Sequence, residues 1–372
     1  MQSSRWRRPG ACLLALTLLI WLMWRGAPNE PAGLGAALAQ DHGATEKQAV
    51  RKPFVQVPDT ISPEARKFLE SLPDPSAGPP SPAPDDVAGW KRVWEANEAA
   101  HEPLVKATLK RFEPSVTARQ LGGVPVLDIK PKDWQDNRKV LVHAHGGCYT
   151  LHSAHSRLPG SVLTAHVTGL RVVSVDYTVA PTGKWQAVTD EMLAVMDGLR
   201  KENYKLSDIA VYGESAGAGL VAAAVLKMRD KGLGMPAAVV LWSPWTDVTN
   251  RGDTAITLKG VDPHMVYDRQ LKPSADAYAD PKDQKHAHVS PIYGDYSKGF
   301  PPTLIQGGTR EIFLSHCVRQ YRTIDAAGGQ AILDLYEGMP HVFQIRPELA
   351  DAPETRAAMK KMAAFLNKHL AG

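Results

Sequence analysis

The chain has little cysteine, and its N-terminal apolar run is short for a membrane-spanning helix. Three of its 372 residues are cysteine and none lies in a CxxC or Cys/His zinc spacing, so a disulfide-rich or zinc-ribbon scaffold is excluded. The apolar run at 11–24 is shorter than the ~20 residues of a spanning helix. Aromatic residues make up 7% and no basic stripe alternates with them, so nucleic acid is not an expected partner.

The N-terminus has the pattern of an export signal. A basic start at 5–8 precedes the apolar run, and Ala37 and Ala39, either side of Leu38, fit a cleavage site before Gln40. We therefore expect a signal peptide over 1–39 and an exported protein, periplasmic or secreted. The long gap before the cleavage site leaves an N-terminal membrane anchor as the alternative. Four arginines and one glutamate of this segment account for most of the formal net charge of +4.

Two cysteines remain beyond the leader, Cys148 and Cys317. In an exported protein the two could form a disulfide. We favour two free thiols, because sequence alone does not establish that a disulfide forms. Four histidines also lie close together in the sequence: His143, His145, His152 and His155. Their main interpretation is as strand and loop residues around an active-site rim, with a metal site as the alternative, and we expect no cofactor or metal.

Residues 40–114 predict lid helices joined by a linker. A helix is expected over 63–72, followed at 73–84 by an extended segment with six prolines. A second helical stretch, 85–112, is expected to be interrupted near Pro103, because proline removes a backbone donor.

The catalytic domain is expected over 115–372, where strands alternate with helices. The predicted strands are 116–120, 124–129, 139–143, 171–175, 209–212, 237–242, 303–306 and 331–336, and the predicted helices are 155–168, 185–201, 216–230, 315–327 and 353–369. This order predicts an α/β fold with a mostly parallel eight-stranded sheet covered by helices on both faces. Residues 249–300 interrupt the alternation and are expected to form an inserted part of the lid.

The most informative motif is Gly213-Glu214-Ser215-Ala216-Gly217, between a predicted strand and a predicted helix. Strand, G-x-S-x-G and helix are the layout of a nucleophile elbow. Small flanking residues allow the sharp turn, and the helix N-terminus favours negative charge beside the serine. Ser215 is therefore the candidate nucleophile.

Four further segments occur in a characteristic order: HGGCY at 145–149, DYTVAP at 176–181, SPWTD at 243–247 and GMPHVF at 338–343. Together with the elbow, this set resembles the hormone-sensitive-lipase-like (family IV) branch of the α/β-hydrolases over about residues 60–370. The resemblance implies the α/β-hydrolase fold with a helical lid. Among family members the chain most resembles bacterial monoterpene ε-lactone hydrolases.

The resemblance implies a Ser, acid, His triad in which His341 is the base. The acid position departs from the family, because Arg310 stands where many relatives carry Asp. Glu311 is the only acid directly after that strand, and we assign it to orient His341. Asp283, Asp295 and Asp325 are poorer candidates, because none follows a strand end.

The oxyanion hole is expected from the backbone amides of Gly146, Gly147 and Ala216, with Cys148 in place of the family's third glycine. Pocket walls are expected from aromatic residues that would suit an apolar ester: Tyr149, Trp90, Trp94 and Phe343, with Met265 and Tyr267 as further candidates.

The sequence thus predicts a serine carboxylic-ester hydrolase acting on short- to medium-chain esters or lactones through an acyl-enzyme. Two alternatives stay open: a peptidase or amidase on the same fold, and a non-catalytic binding protein that has kept the fold. A small-molecule ester or lactone is the expected partner, and a homodimer is left open.

Overall fold

A computed structural model describes residues 56–370. The predicted signal peptide, with its membrane-anchor alternative, lies outside the described residues. No helix among residues 56–370 combines the length and the apolar character that a membrane span requires.

The described chain alternates strands and helices as the sequence predicts. The strands are β1 Ser115–Leu121, β2 Val124–Lys130, β3 Val140–Ala144, β4 Arg171–Val175, β5 Ile209–Glu214, β6 Ala238–Trp242, β7 Thr303–Arg310 and β8 Ala331–Pro340. The helices are α1 Pro63–Ser71, α2 Val87–Phe112, α3 Leu158–Thr168, α4 Trp185–Lys201, α5 Ala216–Asp230, α6 Thr254–Thr257, α7 Lys272–Tyr278, α8 Leu314–Ala326 and α9 Pro353–His369.

The eight strands form one sheet in the order β1-β2-β4-β3-β5-β6-β7-β8. β1 and β2 form an antiparallel hairpin, β2 pairs antiparallel with β4, and β3 to β8 run parallel. Because β3, β5, β6 and β7 are parallel neighbours, the residues that follow them meet at one edge of the sheet. Gly146, Ser215 and Glu311 follow β3, β5 and β7, and His341 follows β8, which runs parallel beside β7.

Both faces of the sheet are covered, which explains why its central strands are mostly apolar. On β3, Val140 and Val142 pack with α4 and α5, while Leu141 packs on the other face with α3 and α9. A strand buried on both sides has no polar face, and all five residues of β3, β4 and β6 are buried.

The structure differs most from the sequence prediction at Pro103 and at the ends of β7 and β8. The expected interruption near Pro103 is wrong, since α2 continues through it from Val87 to Phe112. Proline removes one helical hydrogen bond, and burial of Val105 in the core beyond it keeps the helix in place. Strands β7 and β8 run four residues further than predicted, to Arg310 and Pro340, with a register shift between Gly308 and Arg310.

The segment 249–300 holds α6, α7 and a π-helical turn at Tyr267–Leu271 instead of a strand. That turn contacts the proline-rich segment before α2. Ser81 donates its backbone N–H to the carbonyl of Arg269 over 2.9 Å, and the Arg269 guanidinium donates to the carbonyl of Ser76. The two predicted lid segments therefore touch each other.

Candidate active site

Ser215 occupies the turn between β5 and α5 in a conformation that side chains rarely adopt. Its φ is 57° and its ψ is −121°. Its N–H donates to the carbonyl of Trp242 over 2.9 Å. A Cβ on Gly217 would lie 2.0 Å from the carbonyl oxygen of Ala144. The motif needs glycine at position 217 because helix α5 lies against the end of β3. The strained backbone of Ser215 is typical of a nucleophile elbow.

His341 and Glu311 form a buried pair. Nδ1 of His341 lies 2.7 Å from Oε2 of Glu311, so the ring donates from Nδ1 and its Nε2 is left to accept a proton. The two side chains are 3% and 0% exposed, which leaves little water to compete for this bond. Glu311 also accepts the backbone N–H of Gly308 over 2.7 Å at Oε1. The structure therefore places the Glu311 carboxylate beside the His341 ring.

Ser243, at the end of β6, was not singled out as a functional residue. Its Oγ donates to Oε1 of Glu311 over 3.0 Å and accepts the N–H of Val342 over 2.9 Å. It lies in the SPWTD segment, and that segment was the available sequence signal. Ser243 is buried, and it links the acid loop to the histidine loop.

Ser215 and His341 lie at the same edge of the sheet, on either side of the chain that leaves β6. Trp245 donates its N–H to the carbonyl of Ser215 over 2.9 Å, and its ring stacks on Phe313, which meets the His341 ring edge-on at 5.0 Å. Ser215 Oγ has no hydrogen bond to His341 in the described part of the chain. In free hydrolases this bond is often long and shortens when substrate binds.

The loop after β3 corrects one predicted oxyanion donor. The N–H of Gly146 donates to Oε1 of Glu214 over 2.9 Å, so the prediction for Gly146 does not hold in this structure. The next residues, Gly147, Cys148 and Tyr149, have φ values of 118°, 57° and 65°. A Cβ on Gly147 would lie 2.2 Å from the carbonyl oxygen of Leu151, which explains the glycine.

Glu214 was not predicted to have a role of its own. Its carboxyl group is buried and contacts His143, Arg157 and the loop after β3. Burial raises the pKa of Glu214, but the charges and hydrogen bonds of His143, Arg157 and Gly146 outweigh it and bring the pKa to about 2. Glu214 is therefore an anion at neutral pH.

Three of the four main predicted pocket residues are packed in the interior. Tyr149 is 1% exposed and stacks on Tyr278 with 3.7 Å between ring centroids. Trp90 is buried and donates to the carbonyl of Ala83. Phe343 is fully buried in a cluster with α1. Since these side chains have no free surface, they do not line an open pocket in this structure.

The other predicted pocket residues keep some exposure. Trp94 is half-buried and donates from Nε1 to the carbonyl of His152 over 2.8 Å. Met265 and Tyr267 are also half-buried, in the inserted segment. These three remain candidates for the wall of a pocket.

The four clustered histidines have separate environments. His143 bonds buried hydroxyl and carboxyl groups, and His155 pairs with Glu102 at the surface. His145 stacks on Tyr177, and burial lowers its pKa to about 4. His152 packs against His101. No group of three or more potential metal ligands occurs within residues 56–370.

Cys148 and Cys317 are free thiols. Burial raises the pKa of Cys148 to about 12 and raises that of Cys317 well above its usual value. Burial therefore disfavours the nucleophilic thiolate form of both sulfurs at neutral pH. Tyr177 donates to the carbonyl of His145 over 2.7 Å, so it braces the loop after β3.

Asp262, in the inserted segment, is a further buried carboxyl group. Oδ2 accepts the N–H of Ile312 over 2.8 Å, and Oδ1 accepts those of His264 and Met265. Burial raises the pKa of Asp262 to about 6, against the opposing effect of His341. The contact with Ile312 ties the insertion to the acid loop.

Comparison with known proteins gives the same architecture. A model of the alpha/beta hydrolase fold family matches residues 141–345. An acetyl-hydrolase of Streptomyces hygroscopicus is 31% identical over 62% of this chain and 76% of its own length. The putative acetyl-hydrolase LipR of Mycobacterium tuberculosis is 30% identical over 67% of this chain and 79% of its own length.

Two solved structures match most of the chain. The crystal structure of esterase E25 superposes with a TM-score of 0.79 and 28% identity, covering 89% of this chain and 99% of that one. An esterase from the bacterial hormone-sensitive lipase family superposes with a TM-score of 0.72 and 28% identity, covering 83% and 99%.

Proposed function

This chain belongs to the α/β-hydrolase-fold family, in its hormone-sensitive-lipase-like branch of carboxylesterases, and we propose that it cleaves esters through an acyl-enzyme on Ser215. The observation that carries the proposal is the buried bond of 2.7 Å between His341 Nδ1 and Glu311 Oε2, at the edge of the sheet where Ser215 stands. That bond fixes the tautomer in which Nε2 can take the serine proton.

The mechanism follows from these groups. Ser215 Oγ attacks the ester carbonyl while His341 accepts its proton, and the oxyanion is held by the amides of Gly147, Cys148 and Ala216. His341 then gives the proton to the leaving alcohol, and Ser215 keeps the acyl group. Water attacks the acyl-enzyme with His341 again as base, which releases the acid and restores Ser215.

Support for Gly147 and Cys148 as oxyanion donors comes from the loop geometry. Consecutive residues with positive φ turn neighbouring N–H groups toward a common side, an arrangement that binds anions. Ala216 lies at the first position of α5, where the helix dipole favours negative charge.

The substrates are proposed to be short- to medium-chain esters or lactones. Support comes from the acetyl-hydrolase and esterase relatives and from the crowded interior behind the loop after β3, where Tyr149, Tyr278 and Trp245 pack together. A long acyl chain would have to displace such buried rings, whereas an acetyl group would not.

We propose that the lid, predicted over 40–114 and 249–300, is the cap that covers this site. Its halves meet where the Arg269 guanidinium bonds the Ser76 carbonyl. We expect Arg269→Ala to change the ratio of kcat/KM between p-nitrophenyl octanoate and acetate, and Arg322→Ala, an exposed arginine on α8, to leave it unchanged. An unchanged ratio in both variants would argue against this cap.

The decisive experiment compares wild type with Ser215→Ala on p-nitrophenyl acetate, butyrate, octanoate and palmitate and on ε-caprolactone. Loss of the nucleophile should lower kcat about 10⁶-fold. Activity should be highest on the shorter esters, and turnover of the lactone would extend the substrate class. Full activity of the variant would refute the serine mechanism. A matched amide tests the peptidase alternative, since its poorer leaving group should make it the slower substrate.

A further inference from the structure

The acidic residue before the nucleophile connects three elements around the loop after β3. Glu214 is 1% exposed. Its Oε1 accepts the N–H of Gly146 over 2.9 Å and Nε of Arg157 over 3.2 Å, and its Oε2 lies 2.7 Å from Nε2 of His143. Both carboxylate oxygens are therefore engaged without water, and one of their partners is the first amide of the loop.

The carboxylate is held rigidly from both sides. The backbone of Glu214 is fixed by its pairing with Trp242 on β6, and Ser215 follows it directly. His143 is fixed on β3, where its Nδ1 lies 2.9 Å from the hydroxyls of both Ser174 and Ser161. The Glu214 side chain thus connects the nucleophile turn to the loop after β3. The backbone of Glu214 and its partner His143 lie in strands of the same sheet, so the two cannot move independently.

The loop has little freedom beyond this contact. A Cβ on Gly146 would lie 2.9 Å from the carbonyl oxygen of Glu214 and 3.2 Å from Cβ of Ser215, so the loop passes directly against the nucleophile turn. The amides of Gly147 and Cys148 come next in the chain. A shift of Gly146 would move both of them relative to Ser215.

We propose that Glu214 is a positioning residue that fixes the Gly146 amide and thereby aims the amides of Gly147 and Cys148 at the oxygen that becomes negative when Ser215 attacks. The inference rests on the serine mechanism proposed above. Arg157 offsets the charge of Glu214, so the anion that positions the loop does not repel the developing oxyanion.

A positioning residue and an ordinary buried ion pair differ in the measured property that changes when they are lost. A purely structural pair supports folding, so its loss lowers the melting temperature and the number of active molecules. A positioning residue also changes the rate at each correctly folded site, because displaced donors stabilise the transition state less while substrate binding is kept.

The test compares Glu214→Ala, Glu214→Gln and Glu214→Asp with wild type on p-nitrophenyl butyrate. Active sites are counted by labelling Ser215 to completion with a fluorophosphonate, and inhibition by a boronic acid, which forms a tetrahedral adduct with the serine, is measured in parallel. For Glu214→Ala we expect kcat per labelled site to fall about 10²-fold, with KM within about threefold and the boronic acid weakened by a similar factor.

The conservative variants separate the effect of side-chain length at position 214 from the effect of its negative charge. Glu214→Gln keeps an acceptor for Gly146 at the same distance and should stay within about fivefold of wild type, whereas Glu214→Asp is one methylene shorter and should lose about tenfold. If Glu214→Ala does not fold, the comparison of Glu214→Gln with Glu214→Asp tests the positioning role. A normal Asp variant beside an impaired Gln variant would overturn the proposal, because charge rather than reach would then matter.

Two controls identify which hypothesis fails. Asp128→Ala removes another buried carboxylate, paired with Arg171 at the amino end of β4, and should lower the melting temperature without changing kcat per site. Normal kcat per site in Glu214→Ala together with an inactive Ser215→Ala would overturn only the positioning role. Retained activity in Ser215→Ala would overturn the serine mechanism itself.

Discussion

Ser243 donates a hydrogen bond to Glu311 over 3.0 Å while the same hydroxyl accepts the N–H of Val342. Glu311 and the residue after His341 are thereby tied to one atom at the end of β6. Because Ser243 is buried, no water can replace that atom without rearrangement. The orientation of the His341–Glu311 pair therefore depends on a serine outside the triad.

Replacing Ser243 should reduce both activity and stability. Ser243→Ala leaves the Val342 amide without an acceptor and Glu311 with one donor fewer, so we expect about tenfold lower kcat and a loss of about 1–3 kcal/mol in unfolding free energy. Steady-state kinetics and urea unfolding measure both. Thr303→Val, which removes a buried hydroxyl at the amino end of β7, should lose stability alone. Unchanged kcat in Ser243→Ala would contradict this dependence.

The identity of the acid is tested by two isosteric changes. Glu311→Gln should lower kcat about 10⁴-fold, because an amide no longer holds the imidazole in the required tautomer. Asp325→Asn should be nearly neutral, since Asp325 is exposed on α8 and pairs with Arg322. Rates on p-nitrophenyl butyrate distinguish the two. The opposite ranking would move the acid to Asp325.

The loop after β3 predicts a sharp contrast between two glycines. Gly147→Ala would bring Cβ within 2.2 Å of a carbonyl oxygen, so we expect loss of at least about 10² in kcat. Gly169→Ala also has positive φ, but nothing lies within 4 Å of its Cβ, and it should cost only about 1–2 kcal/mol of stability. Equal kcat values in the two variants would exclude a special role for the loop.

Asp262 should make stability fall as pH rises. Its pKa is raised by burial from 3.8 to about 6, so the folded protein holds this proton between those values while the unfolded chain releases it. The stabilisation is present below pH 3.8 and is lost as pH rises through about 6. Relative to Asp262→Asn, wild type should lose about 2–3 kcal/mol between pH 4 and 7. Parallel denaturation curves with a constant difference would rule this out.

The architecture was predicted from local patterns because the buried parallel strands are short and mostly apolar and alternate with longer segments that form helices. The boundaries of α4, α5 and α9 agree with the sequence to the residue. The break expected at Pro103 failed because a local rule was outweighed by packing of Val105 in the core. The ends of β7 and β8 were missed because pairing with a neighbouring strand is not visible in the sequence of either one.

The candidate site was predictable to the extent that each residue has a local signature. Ser215, Glu311 and His341 follow strands or lie in short motifs. Tyr149, Trp90 and Phe343 were expected to line a pocket because they are aromatic, but aromatic residues serve cores as readily as pockets. Only the burial of these side chains in the structure distinguishes a core role from a pocket role.

The sequence by itself therefore determined the order of strands and helices, the nucleophile turn and the residues able to act as base and acid, since each depends on neighbours within a few positions. The tertiary structure decided which amide of the loop after β3 is already hydrogen-bonded and which serine donates a hydrogen bond to Glu311. Glu214 reaches Gly146 across 68 positions and Ser243 reaches Val342 across 99. Contacts between residues so far apart in the chain are set by strand register and packing, which no local pattern specifies.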